Sequence, residues 1–132
     1  MPVFRVGDVM IGEFLSIDGM ASVTEAAALM REKQVSELLV AKRTPEDAWG
    51  IVTVRDLVRE VIAPGRNPDD VFVYEIMSKP VITVPAQMDI RYAIRLLQRI
   101  DAHRAPVEEA GEIVGMITLS HLVLGGDVLW SG

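Results

Sequence analysis

The residues best placed to do chemistry lie in a segment that occurs twice, Gly50-Ile-Val-Thr-Val-Arg-Asp-Leu-Val58 and Gly115-Met-Ile-Thr-Leu-Ser-His-Leu-Val123. In each, a glycine opens a short β-rich run and a threonine, Thr53 or Thr118, stands where the run stops. An apolar pair suited to a helix follows, so the pattern predicts a strand-to-helix junction. Such a junction offers a hydroxyl and backbone N–H groups that can hold an anion or a sugar hydroxyl. The first copy adds a carboxylate, Asp56, and the second adds an imidazole, His121. Thr53 and Asp56 equally fit a capping box, in which the threonine caps the helix and the aspartate returns to the backbone.

Other reactive side chains are sparse. The 132 residues include 2 histidines and no cysteine, which excludes a thiol nucleophile, a thiolate metal site and disulfides. No P-loop and no metal-ligand spacing is present, so the chain reads as non-catalytic, with no cofactor of its own. The net charge of −6 argues against nucleic-acid binding through bulk electrostatics. The apolar runs are too short to span a membrane and Met1-Pro-Val-Phe-Arg5 lacks the pattern of a signal peptide, so a cytoplasmic location is expected. Half the residues are hydrophobic and the mean hydropathy is +0.29, which predicts broad faces buried against repeats or a second subunit. Arg91, Arg95 and Arg99, four residues apart, read as one solvated helix face, and the 7 methionines as core or interface filler.

The elements that must position these groups also come twice. A strand over 14–17 precedes a helix opened by Ser22-Val-Thr-Glu25, with Val23, Ala26, Ala27 and Met30 as its buried stripe. A strand over 38–41, a polar turn over 43–47, the strand Gly50 to Thr53 and a helix over 54–62 complete the first series. Ala63-Pro-Gly-Arg-Asn-Pro68 is the linker-like stretch. The order then restarts: Val73-Tyr-Glu-Ile-Met77 matches Val6-Gly-Asp-Val-Met10, and Val81-Ile-Thr-Val84 matches Phe14-Leu-Ser-Ile17. Asp89 is placed to cap a helix burying Ile90, Ala93, Ile94 and Leu97, followed by a strand over 105–107 and a turn over 108–112. The fold class expected is α+β, two pseudo-symmetric β-α-β-β-α repeats packed face to face. The repeats are set at 1–64 and 71–124, with a linker at 65–70 and a tail at 125–132 that carries Trp130, a docking candidate.

Two tandem copies of an "Ile-Met-Ser-x-Pro-Val-x-Thr-Val" opening, a helix, a "His-Arg-x-Pro-Val" strand and a "Gly-Ile-Val-Thr-x-x-Asp-Leu" junction resemble a pair of cystathionine β-synthase (CBS) domains, a Bateman module, from about Val6 to Leu124. The resemblance implies a regulatory module that binds AMP, ADP, ATP or S-adenosylmethionine between the repeats, forms a homodimer and acts on a protein partner in trans. It assigns phosphate to Thr53 and ribose to Asp56, with Arg55 between them, since a carboxylate accepts both hydroxyls of a diol. It assigns the remaining wall to Ser78, Lys79, Pro80 and Ile82 and to His103, Arg104 and Ala105, with Arg104 and Lys79 as candidate phosphate cations.

In the mirrored site, centred on Thr118, His121 replaces Asp56, Gly12 and Glu13 replace Lys79 and Pro80, and Ser36 and Glu37 replace His103 and Arg104. Loss of the carboxylate and gain of two acids predict one competent ligand site per chain. The rival reading is a dimerisation or docking module without nucleotide, distinguished by the absence of ligand-dependent stability. An enzyme with an unrecognised site is a third reading, disfavoured by the lack of paired catalytic groups.

Overall fold

The structure is a computed structural model describing residues 3–125; Trp130 and the rest of the tail beyond Gly125 lie outside the described residues. In chain order the first repeat contributes α1 (Val6–Val9), β1 (Ser16–Ile17), α2 (Val23–Lys33), β2 (Glu37–Val40), β3 (Gly50–Thr53) and α3 (Val54–Leu57). The second contributes β4 (Val84–Pro85), α4 (Ile90–Arg99), β5 (Arg104–Glu109), β6 (Glu112–Thr118) and α5 (Leu119–Leu124). The fold is α+β, with two three-stranded sheets ordered β1-β2-β3 and β4-β5-β6. In each sheet the first pair is parallel and the second antiparallel.

The strand registers repeat the sequence alignment. Ile17 faces Val40 as Val84 faces Val107, and Glu37 faces Thr53 as Arg104 faces Thr118. The described residues divide into two compact units, one running from Leu15 to Val81, the other joining residues 3–14 to residues 82–125. Each has its own core. Val23, Ala26, Met30, Leu38, Val40 and Val52 lead one, and Val6, Val84, Ala93, Leu97, Val107 and Ile117 lead the other.

These units cross the sequence repeats. Ser78, from the start of the second repeat, exchanges two backbone hydrogen bonds of 2.9 Å with Ile51 of β3. Ile11, from the first repeat, exchanges bonds of 2.7 and 2.8 Å with Met116 of β6. Each sheet is thus extended by the opening segment of the other repeat. The two motif glycines make room for this. A Cβ on Gly115 would lie 2.5 Å from the Ile11 carbonyl oxygen, and one on Gly50 would lie 3.1 Å from that of Ser78.

Local chemistry explains most of the elements. Ser22 Oγ accepts the Glu25 N–H at 3.1 Å and starts α2, which ends at Gln34 in the left-handed conformation, φ 55°. Val23, Ala26 and Met30 are buried as expected, but Ala27 is exposed, because one residue beyond Ala26 is a turn of about 100° off the buried stripe. Asp89 Oδ1 accepts the Arg91 N–H at 2.9 Å and caps α4, which buries Ile90, Ala93 and Leu97, with Ile94 at the margin. The arginine row is solvated: Arg91 pairs with Asp89 at 2.8 Å, and Arg95 lies 5.6 Å from the Tyr92 ring centre.

Three further expectations are corrected. The strand expected over 81–84 is paired only from Val84, because the Val81 N–H donates to the Trp49 carbonyl at 2.9 Å in the other unit's ladder. The turn expected over 108–112 shrinks to Ala110 and Gly111, at φ 53° and 81°, the positive pair that a two-residue hairpin requires. The helix expected over 54–62 is a single α-turn continued by a π-helical turn, Val58–Ile62, in which the Ala63 N–H reaches the Val58 carbonyl at 2.8 Å. Buried Leu57 and Val61 stand four apart, a spacing that suits either kind of turn.

Candidate functional site

Thr53 ends β3 and caps α3 through a reciprocal pair of bonds. Its Oγ1 accepts the Asp56 N–H at 3.2 Å, while Asp56 Oδ2 accepts the Thr53 N–H at 2.8 Å and the Thr53 hydroxyl at 3.1 Å. The capping box expected of this segment is therefore formed, on the carboxylate that the resemblance assigns to a ribose. Asp56 is buried, at 5% exposure, and its Oδ1 accepts Arg59 Nη2 at 2.9 Å. Arg59 Nε also donates to Glu60 Oε1 at 3.0 Å, and these two carboxylates hold the guanidinium firmly protonated, the Glu60 bond most of all. The Val54 N–H donates to the Ser36 carbonyl at 2.9 Å. The amides of Val54 and Asp56 are thus both engaged within the protein. Arg55 is exposed.

Ser78, Lys79 and Pro80 lie in the same compact unit as Thr53 and Asp56, brought there by the Ile51–Ser78 pairing, and all three are exposed. The Lys79 ammonium is paired with Asp47. Asp47 also accepts the N–H groups of Arg43 at 3.0 Å and Ala48 at 2.8 Å. The Lys79 bond first, then those two amides, lower its carboxyl to about 2. The cation proposed for phosphate is thus already matched within its unit.

Ile82, His103, Arg104 and Ala105 belong to the other unit. There Ile82 is half exposed, His103 and Arg104 are exposed, and Ala105 is buried in β5 opposite Ile117. The His103 carbonyl accepts the Leu119 N–H at 2.9 Å, the counterpart of the Ser36–Val54 bond. In the mirrored junction Thr118 Oγ1 accepts the His121 N–H at 3.1 Å. Gly12 and Glu13 follow the Ile11–Met116 pairing in that same unit, whereas Ser36 and Glu37 lie in the unit of Asp56. The imidazole of His121 is partly exposed.

Sequence reasoning passed over Arg59 and Asp47, the two side chains that already occupy Asp56 and Lys79. The signal for Arg59 was its position three residues after Asp56 on one helix, where opposite charges meet. No comparable signal announces Asp47, which a turn presents to a residue far along the chain.

The CBS domain family signature matches residues 6–63 and 73–124, and the chain belongs to that family. It is 33% identical over 119 residues to the Methanopyrus kandleri protein MK0525, covering 89% of this chain and 60% of that protein. It therefore spans about three fifths of that relative's length. It is 31% identical to inosine-5′-monophosphate dehydrogenase of Thermoplasma acidophilum, over 92% of this chain and 23% of the enzyme. Among solved structures, the hexameric CBS-CP12 protein from bloom-forming cyanobacteria superposes with a TM-score of 0.82 at 35% identity, covering 95% of this chain and 69% of that one. Among the described residues no helix is long and apolar enough to cross a membrane.

Proposed function

We propose that the chain is a regulatory, non-catalytic module that binds an adenosine-containing ligand, AMP, ADP, ATP or S-adenosylmethionine, and passes its presence to a protein partner. Asp56 takes the ribose hydroxyls and Thr53 lies beside the phosphate or its counterpart. The observation that carries this reading is the Ile51–Ser78 pairing, which puts the Ser78–Lys79–Pro80 segment of one repeat on the strand that leads to Thr53 and Asp56 of the other. The family resemblance assigns those two segments to one ligand. Support also comes from the dehydrogenase relative, in which a stretch like this one forms 23% of an enzyme's length.

The mirrored site, with His121 in place of Asp56 and Glu13 and Glu37 in place of Pro80 and Arg104, is proposed to bind no anionic ligand. Ile82, His103, Arg104 and Ala105 complete the proposed residue set and are tested by substitution, Arg104→Ala first. Self-association as a homodimer is proposed on the apolar stripe Val54, Val58 and Ile62, exposed at 44%, 47% and 69%.

Thermal unfolding with and without each of the four ligands tests the reading. A ligand at about a hundred times its Kd stabilises by about 2.7 kcal/mol. In a domain of this size that raises Tm by roughly ten degrees. The rise is expected with at least one ligand and is expected to vanish in Asp56→Ala. No shift with any of them would favour a docking module that works without nucleotide.

A further inference from the structure

We propose that Arg59 is a latch on Asp56: its guanidinium competes with the ligand's ribose hydroxyls for the carboxylate, and an adenosine-type ligand binds by displacing it. The inference rests on the assignment of Asp56 to the ribose. A carboxylate has about four acceptor positions on its two oxygens. Three are in use, by the Thr53 N–H at 2.8 Å, the Thr53 hydroxyl at 3.1 Å and Arg59 Nη2 at 2.9 Å. One position remains, and a ribose diol brings two donors.

One bond must therefore yield. The Thr53 N–H is fixed by the capping geometry, and the Thr53 hydroxyl is tied to the Asp56 N–H as well as to its carboxylate. Arg59 is held least. Its side chain is 57% exposed, and its bond to Glu60 at 3.0 Å gives the guanidinium a second partner after it leaves Asp56. The pair is open to solvent on the Arg59 side, at 57% exposure against 8% for the Asp56 side chain, so salt weakens it from that side. A ligand that must break it binds with an affinity reduced by the fraction of molecules in which it is closed.

Two consequences separate a latch from a residue that merely steadies Asp56. Adenosine is uncharged, yet its affinity should rise with ionic strength, because salt weakens the competitor. A 2′-deoxy ligand carries one fewer hydroxyl donor, fits the remaining position and should respond little to Arg59.

The test is isothermal titration of the full chain with adenosine and with 2′-deoxyadenosine, at ionic strengths of about 0.02 M and 0.5 M. It uses the native protein, Arg59→Ala and Asp56→Asn. Arg59→Ala is expected to tighten adenosine by about two- to fivefold at low salt. It should also abolish the rise with salt and change 2′-deoxyadenosine by much less. Binding that is lost in Asp56→Asn but unchanged or weaker in Arg59→Ala would overturn the latch and leave the ribose assignment standing. Binding indifferent to Asp56→Asn, or absent from both the native protein and Arg59→Ala, would overturn the assignment and the latch with it.

Discussion

At the scale of single residues, the carboxylate and the ammonium singled out for a ligand each already have partners. Asp56 is satisfied by its own helix cap and a neighbour one turn on, and Lys79 by Asp47. The cap makes a plain prediction. Thr53→Ala removes a hydroxyl that both accepts and donates, and should destabilise the protein by about 1 kcal/mol, read as a lower midpoint in urea. Asp47 makes a prediction in pH. Its carboxyl is lowered from an ordinary 3.8 to about 2 by Lys79, Arg43 and Ala48, so the folded state favours the ionised form. That contribution is fully present above about pH 4 and is lost as the pH falls through 2. Asp47→Asn should therefore lower stability at neutral pH and flatten the acid loss over that window. Asp89, held near 2 mainly by Arg91, keeps its own share of the same limb.

At the scale of elements, the decisive feature is the crossing of the opening segments. The Ile11–Met116 and Ile51–Ser78 pairings are counterparts, and both pass over a motif glycine. A methyl group at Gly115 would meet the Ile11 carbonyl at 2.5 Å and Met10 Sδ at 2.8 Å. Backbone cannot yield as a flexible side chain can. Gly115→Ala should therefore cost about 1–3 kcal/mol, with Gly50→Ala milder because its nearest contacts are at 3.1 Å. Chemical denaturation of the two variants checks the order, and equal effects would contradict this account of the glycines. The crossing also explains the shortened strand at Val84, since Val81 has already spent its N–H on Trp49.

At the scale of the whole molecule, each unit carries a closed core of its own, yet large apolar side chains remain outside both. Val54, Val58 and Ile62 recur every fourth residue along one helical segment, and each is at least 44% exposed. The proposed homodimer buries them. Val58→Asp would then set a charge in an apolar contact and should shift the protein to monomer in sedimentation velocity. A native protein that is itself monomeric at all concentrations would remove the stripe from the argument. Together with one ligand bound per chain in titration, dimerisation would make two competent sites per assembly.

The repeat, the strands and the caps were legible in the sequence because they depend on short-range patterns. Glycine and threonine at matching offsets aligned Gly50 with Gly115 and Thr53 with Thr118, and the observed registers follow that alignment. Ser22, Thr53 and Asp89 were readable as caps from their spacing to the next donor. The tertiary structure alone decided that Ser78 pairs with Ile51 on the strand of Thr53 and that Asp47 holds Lys79. Local propensity follows from nearest neighbours and periodicity. The partner of a strand edge or of a surface charge is chosen by chain closure among many chemically equivalent candidates, and that choice leaves no pattern along the chain.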